Sequence, residues 1–457
     1  MPRSMTPIFL FSLFLYDSPM SAYFKIQGSA GARTLKGTIS VFGAKNAALK
    51  AIAASILYDT PLTLSNVPGI EDVSRMSEIL EAMGASATFT PAEHTMTIDT
   101  RNLSQSTVTP EIAKRLRASI VLTGPLLARM GHVEFPHPGG DVIGERPIDL
   151  FLEGFMKMGA MVHHRDDGLY EVRAPEGGLH GAEIFFRVQS VTGTETLMMA
   201  ATLARGTTIL KNAALEPEIV WLAEMLRASG ADITGVGTST ITIVGGSMLT
   251  QSADKKNAHA FHIIPDRIEA GSFLILGALA ANNLTVTDIV PEHLESLVEL
   301  LEYSGMTIIR GENTLTIAPP ENSSVGRAVN VRTHEYPGFA TDLQAPMMVY
   351  LTQAKGESVV FETVFEGRLN YTESLNSMGA NIVLMNPHRV LVHGGTSLRG
   401  KRLESPDIRG GLAFVLAAAI AEGESEIHNV YHIDRGYESV EERLKNIGVD
   451  IVRIQVS

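Results

Sequence analysis

Apolar and polar positions along the chain follow one long pattern. A stretch dense in small apolar residues, such as Ala47 to Ile56, Gly193 to Leu203, Phe273 to Ala281 or Gly411 to Ala421, is apolar on every side. That predicts a buried helix. A Gly-containing turn and a Thr/Val/Ile-rich strand follow, then a polar loop, an amphipathic helix ending in glycine, and a short hairpin. Between Asp72 and Met83 the residues Val73, Met76, Ile79, Leu80 and Met83 fall at helical spacing. Ser86 to Thr90 and Met96 to Asp99 alternate as strands do. The glycines closing the amphipathic helices are Gly84, Gly159, Gly230, Gly305, Gly379 and Gly448, about 70–75 residues apart. Glycine belongs just past a helix C-terminus, where the backbone turns left-handed.

Solenoid repeats are usually about 20–50 residues long, so this repeat is too long for that class. Two helices and about four strands make a small lobe of their own. The pattern therefore predicts six α/β units, grouped as two domains of three with a cleft between them.

A chain of 457 residues fits two to four domains at about 150 residues each. With 45% hydrophobic and 19% charged residues it is not a disordered chain. The formal charge is −13, from 37 basic and 50 acidic residues, which argues against nucleic-acid or anionic-membrane partners. An anionic ligand must be held by a local cationic pocket. Cysteine is absent, which excludes disulfides, thiolate metal sites and a thiol nucleophile, and is compatible with a cytoplasmic location. Residues 8–16 form an apolar run too short to span a bilayer. We read residues 1–22 as a disordered extension, or as the product of an upstream start codon with Met20 as the true start, and expect no transmembrane helix.

The entrances to the buried helices carry unusual charge. They read Gly43-Ala44-Lys45-Asn46, Arg115-Leu116-Arg117, Ser190-Val191-Thr192, Pro265-Asp266-Arg267, Thr341-Asp342 and Pro406-Asp407-Ile408-Arg409. The second loops add Arg146, Asp149, Glu216, Glu218, Arg368 and Arg435. Helix N-termini attract anions, and Lys or Arg beside them adds charge and, for Arg, a bidentate fork. Recurrence at equivalent positions points to a shared site for phosphate or carboxylate. His428 and His432, four residues apart in an extended-looking stretch, lie roughly 13 Å apart and cannot share a metal ion. Tyr431 and Tyr437 read as packing residues. No phosphate-loop or dinucleotide-binding glycine motif is present.

Taken together, Gly43-Ala44-Lys45-Asn46-Ala47-Ala48-Leu49, Arg117-Ala118-Ser119, Pro138-Gly139-Gly140, Ile143-Gly144-x-Arg146-Pro147-x-Asp149, Glu216-Pro217-Glu218, Pro265-Asp266-Arg267, Thr341-Asp342-x-Gln344, Glu362-Thr363-Val364-Phe365-Glu366-x-Arg368 and Tyr431-His432-Ile433-Asp434-Arg435-Gly436-Tyr437 resemble the UDP-N-acetylglucosamine enolpyruvyl transferases of the EPSP synthase superfamily. The likeness runs from Phe24 to Ile454. It implies a two-domain inside-out α/β barrel of six βαβαββ repeats. One domain is then residues 23–44 with 267–457, and the other is residues 45–266, which carries a mobile loop.

The resemblance further implies transfer of the enolpyruvyl group of phosphoenolpyruvate to the 3-hydroxyl of UDP-N-acetylglucosamine, with phosphate released, no cofactor and no metal. The product enters peptidoglycan and cell-wall synthesis. Lys45, Arg146 and Arg435 are implied to grip phosphate, and Arg117, Arg368 and Arg409 to serve the rest of the anionic site. Asp342 is implied to orient or deprotonate the sugar hydroxyl and Asn46 to contact the sugar. The segment Arg146, Pro147, Ile148, Asp149 and Leu150, with Ser190, Val191 and Val364, is implied to line the nucleotide pocket. Asp407 joins the substrate contacts.

Asp141 stands in the Pro-Gly-Gly loop where many relatives carry the cysteine that the epoxide fosfomycin alkylates. A carboxyl there can still deliver a proton if its pKa is raised. Thr192 and Val188 also depart from the family's nucleotide contacts. Two other readings stay open: a catalytically impaired UDP-sugar-binding paralogue, and transfer to shikimate 3-phosphate, which Asn46 in the Gly-Ala-Lys-Asn motif disfavours.

Overall fold

The structure, a computed structural model, describes residues 22–114, 116–139, 143–144, 147–251, 260–321 and 325–456. The N-terminal extension, Asp141 and Arg146 lie outside the described residues.

The helices dense in small residues form as the composition predicts. Lys45–Ala54, Val191–Thr202, Arg267–Ala280 and Ile408–Ile420 are buried along almost their whole length. Thr123–Met130 and Gln344–Gln353 fill the corresponding places, each entered through a short 3₁₀ turn. Alanine and glycine on these helices let neighbours approach closely, as where Gly271 meets Leu343 and Leu297. The amphipathic helices pack outside them. All six of the closing glycines have positive φ, from +91° at Gly159 to +110° at Gly379, which is why glycine stands there.

Six sheets lie among the described residues, five of four strands and one of three. In the four-stranded sheets a short strand pairs in parallel with the strand that follows a buried helix, and two antiparallel strands extend the other side. Thus Glu183–Phe185 lies parallel to Thr207–Lys211, which pairs with Thr240–Val244 and then Asp232–Thr234. The strands of one sheet do not always come from one stretch of chain. Ala22–Gln27 sits between Glu424–His428 and Asp450–Gln455, and Leu35–Ser40 joins Ala281–Thr287. In the three-stranded sheet the short parallel strand shrinks to a single bridge, Thr107 to Glu134. Among the described residues no sheet closes on itself, so the expected barrel is not a closed ring of strands there.

Two separate apolar cores form. One draws on residues between 24 and 41 and between 268 and 451, and the other on residues between 44 and 263. The chain passes between them twice, at 42–45 and 263–267, and the two passes run side by side. Gly43 bridges Pro265, Ala44 N–H donates to Ile264 at 2.7 Å, and Asp266 N–H donates to Phe42 at 2.9 Å. A Cβ on Gly43 would fall 1.8 Å from the Asn66 carbonyl oxygen, so only glycine permits this crossing.

Candidate active site

A cavity of about 730 Å³ lies where the two cores meet. Residues before 250 supply Lys45, Asn46, Lys50, Asp72, Arg117 and Ser190; residues after 265 supply Arg267, Asp342, Arg368, Arg409 and Arg435. Most of these cations sit at the starts of buried helices. Lys45 and Arg267 are first residues, Arg409 is a second residue, and Arg117 begins a 3₁₀ turn.

Two carboxylates organise four cations. Asp72, in the first turn of Glu71–Ala82, lies 2.6 Å from Lys45 Nζ and accepts from Arg435 Nε at 3.0 Å. All three residues are buried, and Arg435 reaches Asp72 across the boundary between the cores. Burial lowers the Lys45 ammonium from its ordinary value, Asp72 opposes the shift, and Arg435 adds to it. Asp342 accepts from Arg368 Nη2 at 2.6 Å with one oxygen and from Arg409 at 2.9 and 3.1 Å with the other. Burial pushes this carboxyl up, but Arg368 and Arg409 outweigh it and hold it well below the usual carboxylate range. Its side chain keeps 26% of its surface accessible and faces the cavity.

Further contacts fix the arginines. Arg368 Nη1 donates to Thr341 Oγ1 at 2.8 Å, and Thr341 donates to buried Glu362 at 2.8 Å. Glu362 also accepts from the Val364 and Phe365 backbones, which shapes the loop carrying Val364 into the cavity. Arg409 Nη1 donates to Tyr437 Oη at 2.7 Å. Tyr437 therefore does more than pack, and burial raises its phenol to about 12. Arg267 donates to Glu218 at 3.1 Å across the boundary.

Among the residues expected at the site, Lys45, Asn46, Arg117, Pro147, Asp149, Leu150, Ser190, Val191, Asp342, Val364, Arg368, Arg409 and Arg435 line one cavity. Ile148 is buried behind the wall, and Asp407 does not line it. The Asp407 carboxylate accepts from the Arg409 and Gly410 backbones at 2.8 and 2.9 Å, so it caps the helix. Asp266 caps its helix in the same way and also accepts from Lys45 N–H, and Ser190 Oγ accepts from Gly193 N–H. The expectation that helix entrances offer free N–H groups to an anion is corrected at these three, where the chain's own side chains take them. The positive charge at the cavity wall is carried by side-chain cations.

Asp72, Lys50 and Glu195 are not singled out by the sequence, and Glu362 enters there only within a motif, with no role of its own. An acid in a first helical turn is ordinary macrodipole chemistry, so Asp72 carries no distinctive local signal. His428 stacks on Tyr23 with ring centroids 4.6 Å apart, in keeping with a structural role. No helix among the described residues is long and apolar enough to cross a membrane.

The fold and the cavity define a class of two-core α/β proteins with a cation-rich cleft between the cores. Residues 30–444 match the model of the family described as EPSP synthase (3-phosphoshikimate 1-carboxyvinyltransferase), and the chain belongs to that family. Within it, the chain is 43% identical over 426 residues to the UDP-N-acetylglucosamine 1-carboxyvinyltransferase of Magnetococcus marinus, covering 93% of this chain and 98% of that one. It is 44% identical over 425 residues to the protein of the same name from Halothermothrix orenii, with the same coverages. Among solved structures it is similar in fold to the enolpyruvyl transferase NikO from Streptomyces tendae, with a TM-score of 0.82 and 23% identity over 96% of this chain and all of that one. The EPSP synthase of Acinetobacter baumannii aligns with a TM-score of 0.69 and 18% identity, over 95% of this chain and all of that one.

Proposed function

We propose that the protein transfers the enolpyruvyl group of phosphoenolpyruvate to the 3-hydroxyl of UDP-N-acetylglucosamine, releasing inorganic phosphate. The observation that carries this reading is the double clamp in which Asp72 and Asp342 each hold two cations at the cavity wall. Phosphoenolpyruvate presents a phosphate and a carboxylate on three carbons, and four cations paired with two carboxylates can exchange to such a ligand without being left bare. Relatives above 40% identity over nearly their whole length bear the name of this activity.

In the transfer, the bond from C2 of phosphoenolpyruvate to the phosphate oxygen breaks and a bond from C2 to the sugar 3-oxygen forms. The hydroxyl proton leaves the sugar. A proton added to the methylene carbon on the way must be returned. Lys45 and Arg435 balance the charge on the departing phosphate, with Arg146 as their expected partner and Arg117 at the adjoining wall. Asp342, ionised between two arginines, is a poor base. It serves first to orient the hydroxyl, and gains basicity as Arg368 and Arg409 turn to the ligand. Asp407 acts by holding the turn that presents Arg409. Asn46 contacts the sugar, and Pro147 to Leu150 with Ser190, Val191 and Val364 form the nucleotide wall. Asp141 is the acid for the methylene.

Residues 23–44 with 267–457, and 45–266, make two domains of three βαβαββ units each, arranged as an inside-out barrel. The two apolar cores and the shared strand order support this division. The reaction belongs to cytoplasmic peptidoglycan-precursor synthesis.

Phosphate release tests the reading. Phosphoenolpyruvate with UDP-N-acetylglucosamine should release phosphate, and phosphoenolpyruvate with shikimate 3-phosphate should not. Calorimetric binding of the nucleotide sugar without turnover would instead identify an impaired paralogue.

A further inference from the structure

One ion pair at the cavity wall is not used by the reaction. Lys50 lies on the same helix as Lys45 and Asn46, five residues beyond Lys45, or about 7.5 Å along the axis. It lines the cavity yet is only 5% exposed. Its ion-pair partner, Glu195, lies on the helix that begins beside Ser190 and is fully buried. The pair is loose. Lys50 Nζ is 3.3 Å from Glu195 Oε2, and neither carboxylate oxygen accepts a well-aligned hydrogen bond. Burial raises Glu195 to about 7 against the attraction of Lys50, and Glu218 and Glu216 nearby push the same way.

A buried ammonium has three donors and seeks oxygen for each of them. Here one carboxylate serves Lys50 poorly and the open direction is the cavity. On the function proposed above, the three-carbon anion lies with Lys45 and Arg435 at the start of the helix, so it is not the ligand end met at Lys50. That end belongs to the larger, oxygen-rich partner. We infer that Lys50 is a binding residue for the nucleotide sugar, donating to one of its oxygens, and that Glu195 is the positioning residue that holds the ammonium at the cavity wall until the ligand arrives. This rests on the function proposed above.

The test compares three variants of the full chain with the wild type, in steady-state kinetics and in calorimetric titration with UDP-N-acetylglucosamine alone. Lys50→Met keeps the length and removes the donors. It should raise KM for the nucleotide sugar about tenfold, raise KM for phosphoenolpyruvate much less, and weaken nucleotide-sugar binding by the same factor. Glu195→Gln keeps an amide oxygen beside the ammonium but weakens its hold, and should raise the same KM about threefold, clearly less than Lys50→Met does. Lys50→Met/Glu195→Gln leaves no buried charge unpaired and should reproduce the Lys50→Met binding defect even if the single variant is unstable. Equal KM changes in Lys50→Met and Glu195→Gln, or nucleotide-sugar binding unchanged in the double variant, would overturn the inference and leave a merely structural ion pair. A wild-type chain that neither binds nor turns over the nucleotide sugar would overturn this inference together with the function beneath it.

Discussion

Asp72 shows what one side chain contributes. It neutralises two buried cations that come from different cores, and without it Lys45 and Arg435 would repel each other in a dry site. Removing one member of a buried ionic cluster costs about 3–5 kcal/mol. Asp72→Asn, which keeps the shape, should therefore lower stability by that order and reduce kcat/KM at least a hundredfold. Denaturant unfolding and initial rates check it, and near-normal turnover would remove Asp72 from the clamp.

Glu195 makes a separate prediction about pH. Its carboxyl sits above its unfolded value of about 4.5, at about 7. A raised pKa means the folded state favours the protonated form. That contribution is complete below about pH 4.5 and is lost as pH rises through about 7. A shift of this size corresponds to about 3 kcal/mol. The stability difference between wild type and Glu195→Gln should change over that window, with the wild type losing ground as pH rises. A flat difference across pH 4.5–8 would contradict the assignment.

At the scale of elements, the short-range patterns translated directly. The closing glycines all adopt positive φ, and the helix from Glu71 to Ala82 and the strand from Ser86 to Thr90 lie where periodicity put them. Less legible were contacts between residues distant in sequence. The pairing of Asp72 with Arg435 spans 363 positions, and no local pattern announces it. Nor does periodicity reveal that Ala22–Gln27 completes a sheet with the C-terminal strands.

The helix entrances show a role that a charge-based reading does not separate from ligand binding. Asp407, an acidic residue expected among the substrate contacts, uses one carboxylate oxygen, Oδ1, to accept from two backbone N–H groups. Asp407→Ala should cost about 1 kcal/mol in unfolding free energy, as loss of an N-cap does, while Asp407→Asn keeps most of it. If Asp407→Asn instead destroys activity at unchanged stability, its carboxylate contacts substrate directly.

For the whole molecule, the two cores are joined near the site by a handful of polar contacts. Among the described residues these include Arg435 with Asp72, Arg267 with Glu218, the Tyr336 N–H with Glu216, the Lys45 N–H with Asp266, the Gly69 N–H with Glu438, and the Gly367 N–H with the Ile143 carbonyl. A boundary of mostly polar contacts is one across which two bodies move, and closure of the cavity on its ligand is the expected result. Small-angle scattering should report a smaller radius of gyration on adding UDP-N-acetylglucosamine, and an unchanged curve at saturation would count against closure.

The absence of cysteine also acts on the molecule as a whole. A carboxylate is a poor nucleophile toward an epoxide, so intact-mass spectrometry should find no fosfomycin adduct on the natural chain and one on Asp141→Cys. An adduct on the natural chain would show that another group does the work assigned to Asp141.

Group transfer cleaves phosphoenolpyruvate between carbon and the bridging oxygen, and isotope placement reads that cleavage. Phosphoenolpyruvate labelled with heavy oxygen at the bridging position is incubated with the protein and UDP-N-acetylglucosamine, and the products are weighed by mass spectrometry. All the label should leave with inorganic phosphate, with one enolpyruvyl ether on the sugar 3-oxygen for each phosphate released. Label retained in free pyruvate, or phosphate released without the sugar ether, would mean that the site hydrolyses phosphoenolpyruvate and does not transfer its carbon skeleton.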